Sequence, residues 1–143
     1  MSLDSGISVK ESELVGGTVD VSEIPDMLPA LSVLASFSKG TTRFTGGKRL
    51  RIKESDRLHS VACLINSLGG VARELDYGIE VDGVGLCGGE VEGFNDHRIV
   101  MAAAVAGSLC KKDVIIKGAE AVNKSYPSFF EDFEKIGGKY CVI

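Results

Sequence analysis

Four short stretches carry the residue types that could grip a multiply charged anion: Ile24-Pro25-Asp26, Lys53-Glu54-Ser55-Asp56-Arg57, Asn95-Asp96-His97-Arg98 and Lys124-Ser125-Tyr126-Pro127. Arginine offers planar two-point contact to phosphate or carboxylate, and lysine a compact charge. The spacing predicts that Lys53, Glu54, Asp56 and Arg57 open one helix. Asp96, His97 and Arg98 open another, and Lys124 immediately precedes a third. A helix N-terminus attracts anions, so a cation there is disfavoured by a few tenths of a kcal/mol. Four basic residues at such positions make sense if an anion binds among them. A plainer reading stands beside this one. Lys53 to Arg57 could be a solvated first turn, with Asn95, Asp96 and Ser125 serving only as helix caps. His97 alone is more often a buried structural residue than a catalyst, and His59 falls on the polar side of its helix.

The elements that would position these residues follow from periodicity. After β-like stretches at Ile7 to Val9 and Gly16 to Val21, a helix begins close to Asp26 and carries the apolar run Met27 to Phe37 until Lys39-Gly40 stops it. Thr41 to Thr45 is β-prone, and Lys48 to Ile52 alternates like a strand with one wet face. Glu54 to Leu68 places Leu58, Val61, Ala62, Ile65 and Leu68 at helical spacing, and Gly69-Gly70 ends it. Strands are predicted at Val71 to Leu75, Ile79 to Val84, Asp113 to Lys117 and Lys139 to Ile143. Helices are predicted over Ile99 to Leu109 and after Lys124, the latter with Phe129, Phe130, Phe133 and Ile136 on one side. Asp26 matches Asp96, Lys53 matches Lys124, and Gly69-Gly70 matches Gly137-Gly138, at offsets of 70, 71 and 68 residues. Three landmarks at nearly one offset indicate a duplicated α/β unit, with equivalent loops at one end.

Composition bounds the partners. At 143 residues, 44% apolar and 25% charged, the chain suits one globular domain, and no apolar run approaches a membrane span. A formal charge of −4, no Trp and few aromatics argue against nucleic acid, and alternation would split the Lys48 to Lys53 basic cluster over two faces. No GxGxxG or GxxxxGK[ST] phosphate cradle is present, and two histidines without a carboxylate–histidine spacing argue against a metal centre. Cys63, Cys87, Cys110 and Cys141 show no CxxC spacing and are expected to be reduced core residues of a cytosolic protein. No basic-then-apolar leader marks export, and Met1-Ser2-Leu3 reads as an added start.

In this order and spacing the four motifs closely resemble the 5-enolpyruvylshikimate-3-phosphate synthase family, from about Ile7 to the C-terminus, over what looks like that family's last third. The resemblance implies an α/β (α+β) fold of repeated βαβαββ units of the enolpyruvyl transferase type. Residues 1–143 would be part of a C-terminal domain, about two of its three units, with units roughly at 18–88 and 89–143. It implies a cytoplasmic transferase of the shikimate pathway that moves the carboxyvinyl group of phosphoenolpyruvate to the 5-hydroxyl of shikimate 3-phosphate and releases phosphate, without metal or organic cofactor. On that resemblance Asp26 contacts the shikimate hydroxyls and is the candidate base, and Lys53 lies on the shikimate phosphate side. Glu54 protonates and later deprotonates the methylene carbon. Arg57, Arg98 and Lys124 clamp phosphoenolpyruvate, with Lys124 also helping phosphate leave. Asp56, Asp96 and His97 support their neighbours.

The family's other half and the first unit of this domain are absent. The chain alone is therefore expected not to turn over, to bind either substrate weakly, and to associate with itself or with the missing N-terminal portion through uncovered apolar surface. Two other readings compete: the sister transferase acting on UDP-N-acetylglucosamine, and a non-catalytic anion-binding module of the same fold. The Asn95-Asp96-His97-Arg98 and Lys124-Ser125-Tyr126-Pro127 motifs favour the shikimate branch. Simple anion binding, for its part, has no use for Asp26 and Glu54 beside the cations.

Overall fold

The computed structural model describes Ser8, Lys10 and residues 12–143. The β-like reading of Ile7 and Val9 and the added start at Met1 to Leu3 lie outside the described residues. Strand β1, Thr18–Asp20, pairs in parallel with β2, Thr41–Thr45, and helix α1, Leu28–Ala35, connects them. The return from one parallel strand to the next requires such a crossover. β2 pairs antiparallel with β4, Gly78–Asp82, which pairs antiparallel with β3, Val71–Leu75, giving the sheet order β1-β2-β4-β3. Helix α2, Arg57–Ser67, joins β2 to β3. The pattern then begins again: β5, Gly89–Glu92, pairs in parallel with β6, Val114–Lys117, and helix α3, His97–Gly107, links them. Helix α4, Phe129–Lys135, follows.

The packing explains why these segments choose these elements. Period-two alternation puts Thr42 and Phe44 of β2, and Ile79 and Val81 of β4, on the inner face. Leu58, Val61, Ala62, Leu64 and Ile65 form the inner stripe of α2. Ala102, Ala103 and Ala106 of α3 are buried, and their small side chains let α3 lie close to α1 and α2. One continuous core joins both halves through Leu28, Phe44, Leu50, Leu58, Ile65 and Ile99. No helix among the described residues is long and apolar enough to cross a membrane.

Several sequence expectations change. Lys48 to Ile52 is not a strand but part of a 3-10 turn over Gly47–Ile52. The Gly47 N–H donates to the Tyr77 carbonyl, and Leu50 is fully buried, so a tight turn both satisfies the backbone and places one apolar side chain inside. Lys139 to Ile143 forms no strand and is exposed or nearly so, because no sheet follows α4 to receive it; Ile136 is 85% exposed for the same reason. β5 was not predicted. Its glycine-rich start gives little β signal, and parallel pairing with β6 creates it. Lys124 does not immediately precede a helix. It ends a 3-10 turn over Ala119–Lys124, and α4 starts five residues later behind Ser128, so Ser125 is not its cap. The cysteines are not core: Cys87 and Cys141 are exposed, Cys63 and Cys110 half-buried, and all four are free.

The 3-10 turns over Gly47–Ile52 and Ala119–Lys124 each begin after a glycine in the left-handed region, Gly46 at φ 75° and Gly118 at φ 69°. Only glycine takes that conformation without cost. The two differ in surroundings. A Cβ on Gly46 would sit 2.3 Å from Asp20 Oδ1, whereas one on Gly118 would meet only Glu92 Oε1, at 3.7 Å. Gly118→Ala should therefore cost about 1 kcal/mol of backbone strain, and Gly46→Ala measurably more. Urea unfolding of the two variants checks the order.

Candidate functional site

Asp56 starts α2 as its N-cap, its side chain accepting from the His59 N–H at 3.3 Å. This makes Arg57 the first helical residue, and its side chain enters the interior with no exposed surface. An unpaired guanidinium cannot be buried at tolerable cost, so carboxylates must meet it there. Nε donates to Asp96 Oδ2 at 2.8 Å, Nη1 to Asp26 Oδ1 at 2.5 Å, and Nη2 to Glu54 Oε2 at 2.5 Å. Asp96, itself fully buried, also accepts from Ser55 Oγ at 3.0 Å and caps α3 by accepting from the Arg98 N–H at 3.0 Å. One buried pair thereby joins the start of α2 to the start of α3.

Asp26 lies in the 3-10 turn Pro25–Met27 ahead of α1 and remains 44% exposed. Besides Arg57 it meets Arg98 Nη2 at 3.0 Å and Lys53 Nζ at 3.6 Å. Lys124 Nζ donates to the Asn95 carbonyl at 2.7 Å, beside Asp96. Phe94 and Asn95 both have φ 53°, an uncommon conformation for side-chain-bearing residues, and this bend turns the Asn95 carbonyl to Lys124. Three cations face three carboxylates, and Lys124, held by a neutral carbonyl, leaves a net positive charge. Such a cluster can receive an anion.

Burial pushes the Asp26 carboxyl up, but the Arg57 hydrogen bond and the charges of Arg98, Arg57 and Lys53 outweigh it and hold the group below its ordinary value. Burial opposes ionisation of Asp96 likewise, and Arg57, the Arg98 N–H and Ser55 overcome it. For Arg57, burial disfavours the charge, and Asp96 and Asp26 more than restore it.

The structure thus brings Asp26, Lys53, Glu54, Arg57, Asp96, Arg98 and Lys124 together. Arg57, expected to clamp a ligand, has every guanidinium nitrogen engaged by protein carboxylates. Asp56 turns away from the cluster toward Arg51, which it meets at 3.0 Å. His97 is buried, and its Nδ1 meets no hydrogen-bond partner among the described residues. Sequence reasoning missed Ser55 and the Asn95 carbonyl as members. The strained Phe94-Asn95 pair has no apolar or charge pattern to announce it. No group of three His, Cys, Asp or Glu side chains among the described residues is placed to hold a metal ion.

Comparison with known proteins now bears on this geometry. The family model of EPSP synthase (3-phosphoshikimate 1-carboxyvinyltransferase) matches residues 2–133. A 3-phosphoshikimate 1-carboxyvinyltransferase of Clostridium perfringens is 47% identical over 138 residues, 96% of this chain and 32% of that protein. Its counterpart in Clostridium novyi is 48% identical over 133 residues, 92% of this chain and 31% of that protein. An EPSP synthase structure from Acinetobacter baumannii superposes with a TM-score of 0.82 at 31% identity, covering 89% of this chain and 31% of that one. The enolpyruvyl transferase NikO from Streptomyces tendae shares the fold, with a TM-score of 0.68 at 18% identity, over 89% of this chain and 28% of that one. The fold is that of the enolpyruvyl transferases. Within that class, the chain belongs to the EPSP synthase family, and it spans about a third of the length of the curated relatives it matches.

Removing the buried Asp96 charge strands Arg57. Asp96→Asn should lower stability by about 3 kcal/mol, against less than about 1 kcal/mol for exposed Asp26→Asn, by urea unfolding. Because Asp96 titrates below its ordinary value when folded, its contribution is full at neutral pH. It is lost as pH falls below the ordinary aspartate value of about 4. The acid slope of stability in that range should be shallower in Asp96→Asn than in the unsubstituted chain.

Proposed function

We propose that this chain is the site-bearing C-terminal part of a 3-phosphoshikimate 1-carboxyvinyltransferase, cytoplasmic, with two repeated units at roughly 18–88 and 89–143. The observation that carries the reading is the convergence of Lys53, Arg57 and Arg98 on Asp26, with Lys124 held on the Asn95 carbonyl beside Asp96. The reaction moves the carboxyvinyl group of phosphoenolpyruvate to the 5-hydroxyl of shikimate 3-phosphate and needs no metal or organic cofactor. Asp26 takes the proton of the attacking 5-hydroxyl, and the shikimate oxygen so freed bonds to the central carbon of phosphoenolpyruvate. Glu54 delivers a proton to the methylene carbon, then removes it as the carbon–oxygen bond to phosphate breaks. Lys124 assists the departing phosphate. Lys53 serves the shikimate phosphate, and Arg98 and Lys124 meet phosphoenolpyruvate directly.

The electrostatics support a division of labour. Arg57 is held by Asp96 and Glu54 and presents only its Asp26 side to an incoming ligand. Arg98 and Lys53 both pair with Asp26. A substrate carboxylate or phosphate that draws these cations away removes the charges that depress Asp26, making it a better base as the substrate arrives. Preorganised cations then stabilise the charge developing on phosphate.

The chain spans about a third of its relatives' length, and by itself it is expected to bind either substrate weakly. Titration of the 143-residue chain with phosphoenolpyruvate, followed by amide NMR, should give millimolar-range affinity. Arg98→Ala and Lys124→Ala should each weaken it by about tenfold without changing the urea midpoint, and the chain should release no phosphate when shikimate 3-phosphate is added. Affinity indifferent to both substitutions would overturn the assignment, as would binding unchanged by Asp26→Asn and Glu54→Gln.

A further inference from the structure

On the outer face of α2, away from the carboxylate cluster, His59 and Cys63 lie four residues apart, one turn along the helix. His59 Nε2 is 3.4 Å from Cys63 Sγ, and His59 Nδ1 is 3.3 Å from Glu74 Oε2 on β3. The ring is also braced edge-on against Phe94, with centroids 6.2 Å apart. The three groups form a line, with sulfur at one ring nitrogen and carboxylate at the other. They do not close around a point as metal ligands would. This is the arrangement of a nucleophile, a base and a group that orients the base.

We propose that Cys63 is a base-assisted nucleophilic thiol and a site of mixed-disulfide formation with small soluble disulfides. The charged groups that face the relay are Glu74 from β3, Arg51 from the 3-10 turn, which hydrogen-bonds Glu74, and Asp56 at the start of α2. Burial and the Glu74 carboxylate push the Cys63 thiol up, so no standing thiolate is required. Instead the proton leaves during attack. Sγ bonds to one sulfur of the disulfide as the thiol proton passes to His59 Nε2, and Glu74 steadies the imidazolium from Nδ1. The disulfide's S–S bond breaks, its second sulfur departs as thiolate, and the imidazolium returns its proton to that thiolate or to water. The cysteine is oxidised and the small disulfide reduced.

The other three cysteines are internal standards, since Cys87, Cys110 and Cys141 form no hydrogen bond with a histidine among the described residues. The test treats the 143-residue chain with substoichiometric dithiobis(nitrobenzoate) and locates the mixed disulfide by peptide mapping. At neutral pH, Cys63 should react about tenfold faster than exposed Cys87. The advantage should shrink as pH rises toward the ordinary thiol value of about 8.5, where a thiol needs no base to become a nucleophile. His59→Gln should abolish the advantage, and Glu74→Gln should reduce it. In both variants slow labelling of half-buried Cys110 reports that the fold persists. Cys63 reacting no faster than Cys87 in the unsubstituted chain would overturn the proposal, as would an undiminished advantage in His59→Gln with Cys110 still slow.

Discussion

The burial of one guanidinium organises this molecule. Arg57 has no solvent of its own, so its charge survives only because Asp96, Asp26 and Glu54 surround it. Such a constellation contributes little net stability, since desolvation consumes most of the Coulombic gain. What it contributes is position. Each carboxylate comes from a different place: Asp26 ahead of α1, Glu54 ahead of α2, Asp96 at the cap of α3. Holding all three on one planar fork fixes the starts of three helices relative to one another, to within hydrogen-bond tolerance.

The same fork joins the two halves. Asp26, Lys53, Glu54 and Arg57 belong to the first run of strand, helix, strand, 3-10 turn and helix. Asp96, Arg98 and Lys124 belong to the second. Neither half holds the full set of charges, and the cluster exists only where they abut. The equivalence of Asp26 with Asp96, and of Lys53 with Lys124, has diverged. Asp96 has gone inside as a structural anchor while Asp26 stays half-exposed, and Lys53 leans on a carboxylate while Lys124 leans on a carbonyl. Loops at similar places in the two runs thus do different work, and burial separates them.

Much of this was legible in the residues, for identifiable reasons. Amphipathic helices with strong punctuation, such as the α2 stripe ended by Gly69-Gly70, were read nearly to their bounds. The convergence of Arg57, Arg98 and Lys124 was inferred from the poor fit of cations to helix starts. The misreadings share a cause, which is that tertiary contacts overrode local pattern. Lys48 to Ile52 alternates like a strand but turns to bury Leu50. Gly89 to Glu92 has little propensity of its own but pairs with β6. Nothing local distinguishes a surface arginine from Arg57, whose burial depends on a carboxylate 39 residues away. His59 and Cys63, which looked like an ordinary polar residue and a core filler, gain meaning only from Glu74 across the α2–β3 contact.

The central claim, that Arg57 is a buried and fully engaged tie between the two halves, is most directly tested by hydrogen exchange at the arginine Nε–H groups, read by nitrogen-15 NMR. With Nε locked on buried Asp96, the Arg57 signal should persist long after those of exposed Arg49 and Arg73 have vanished. It should fade only as the whole chain opens. Exchange at Arg57 as fast as at Arg49, in a chain whose core amides remain protected, would contradict the account.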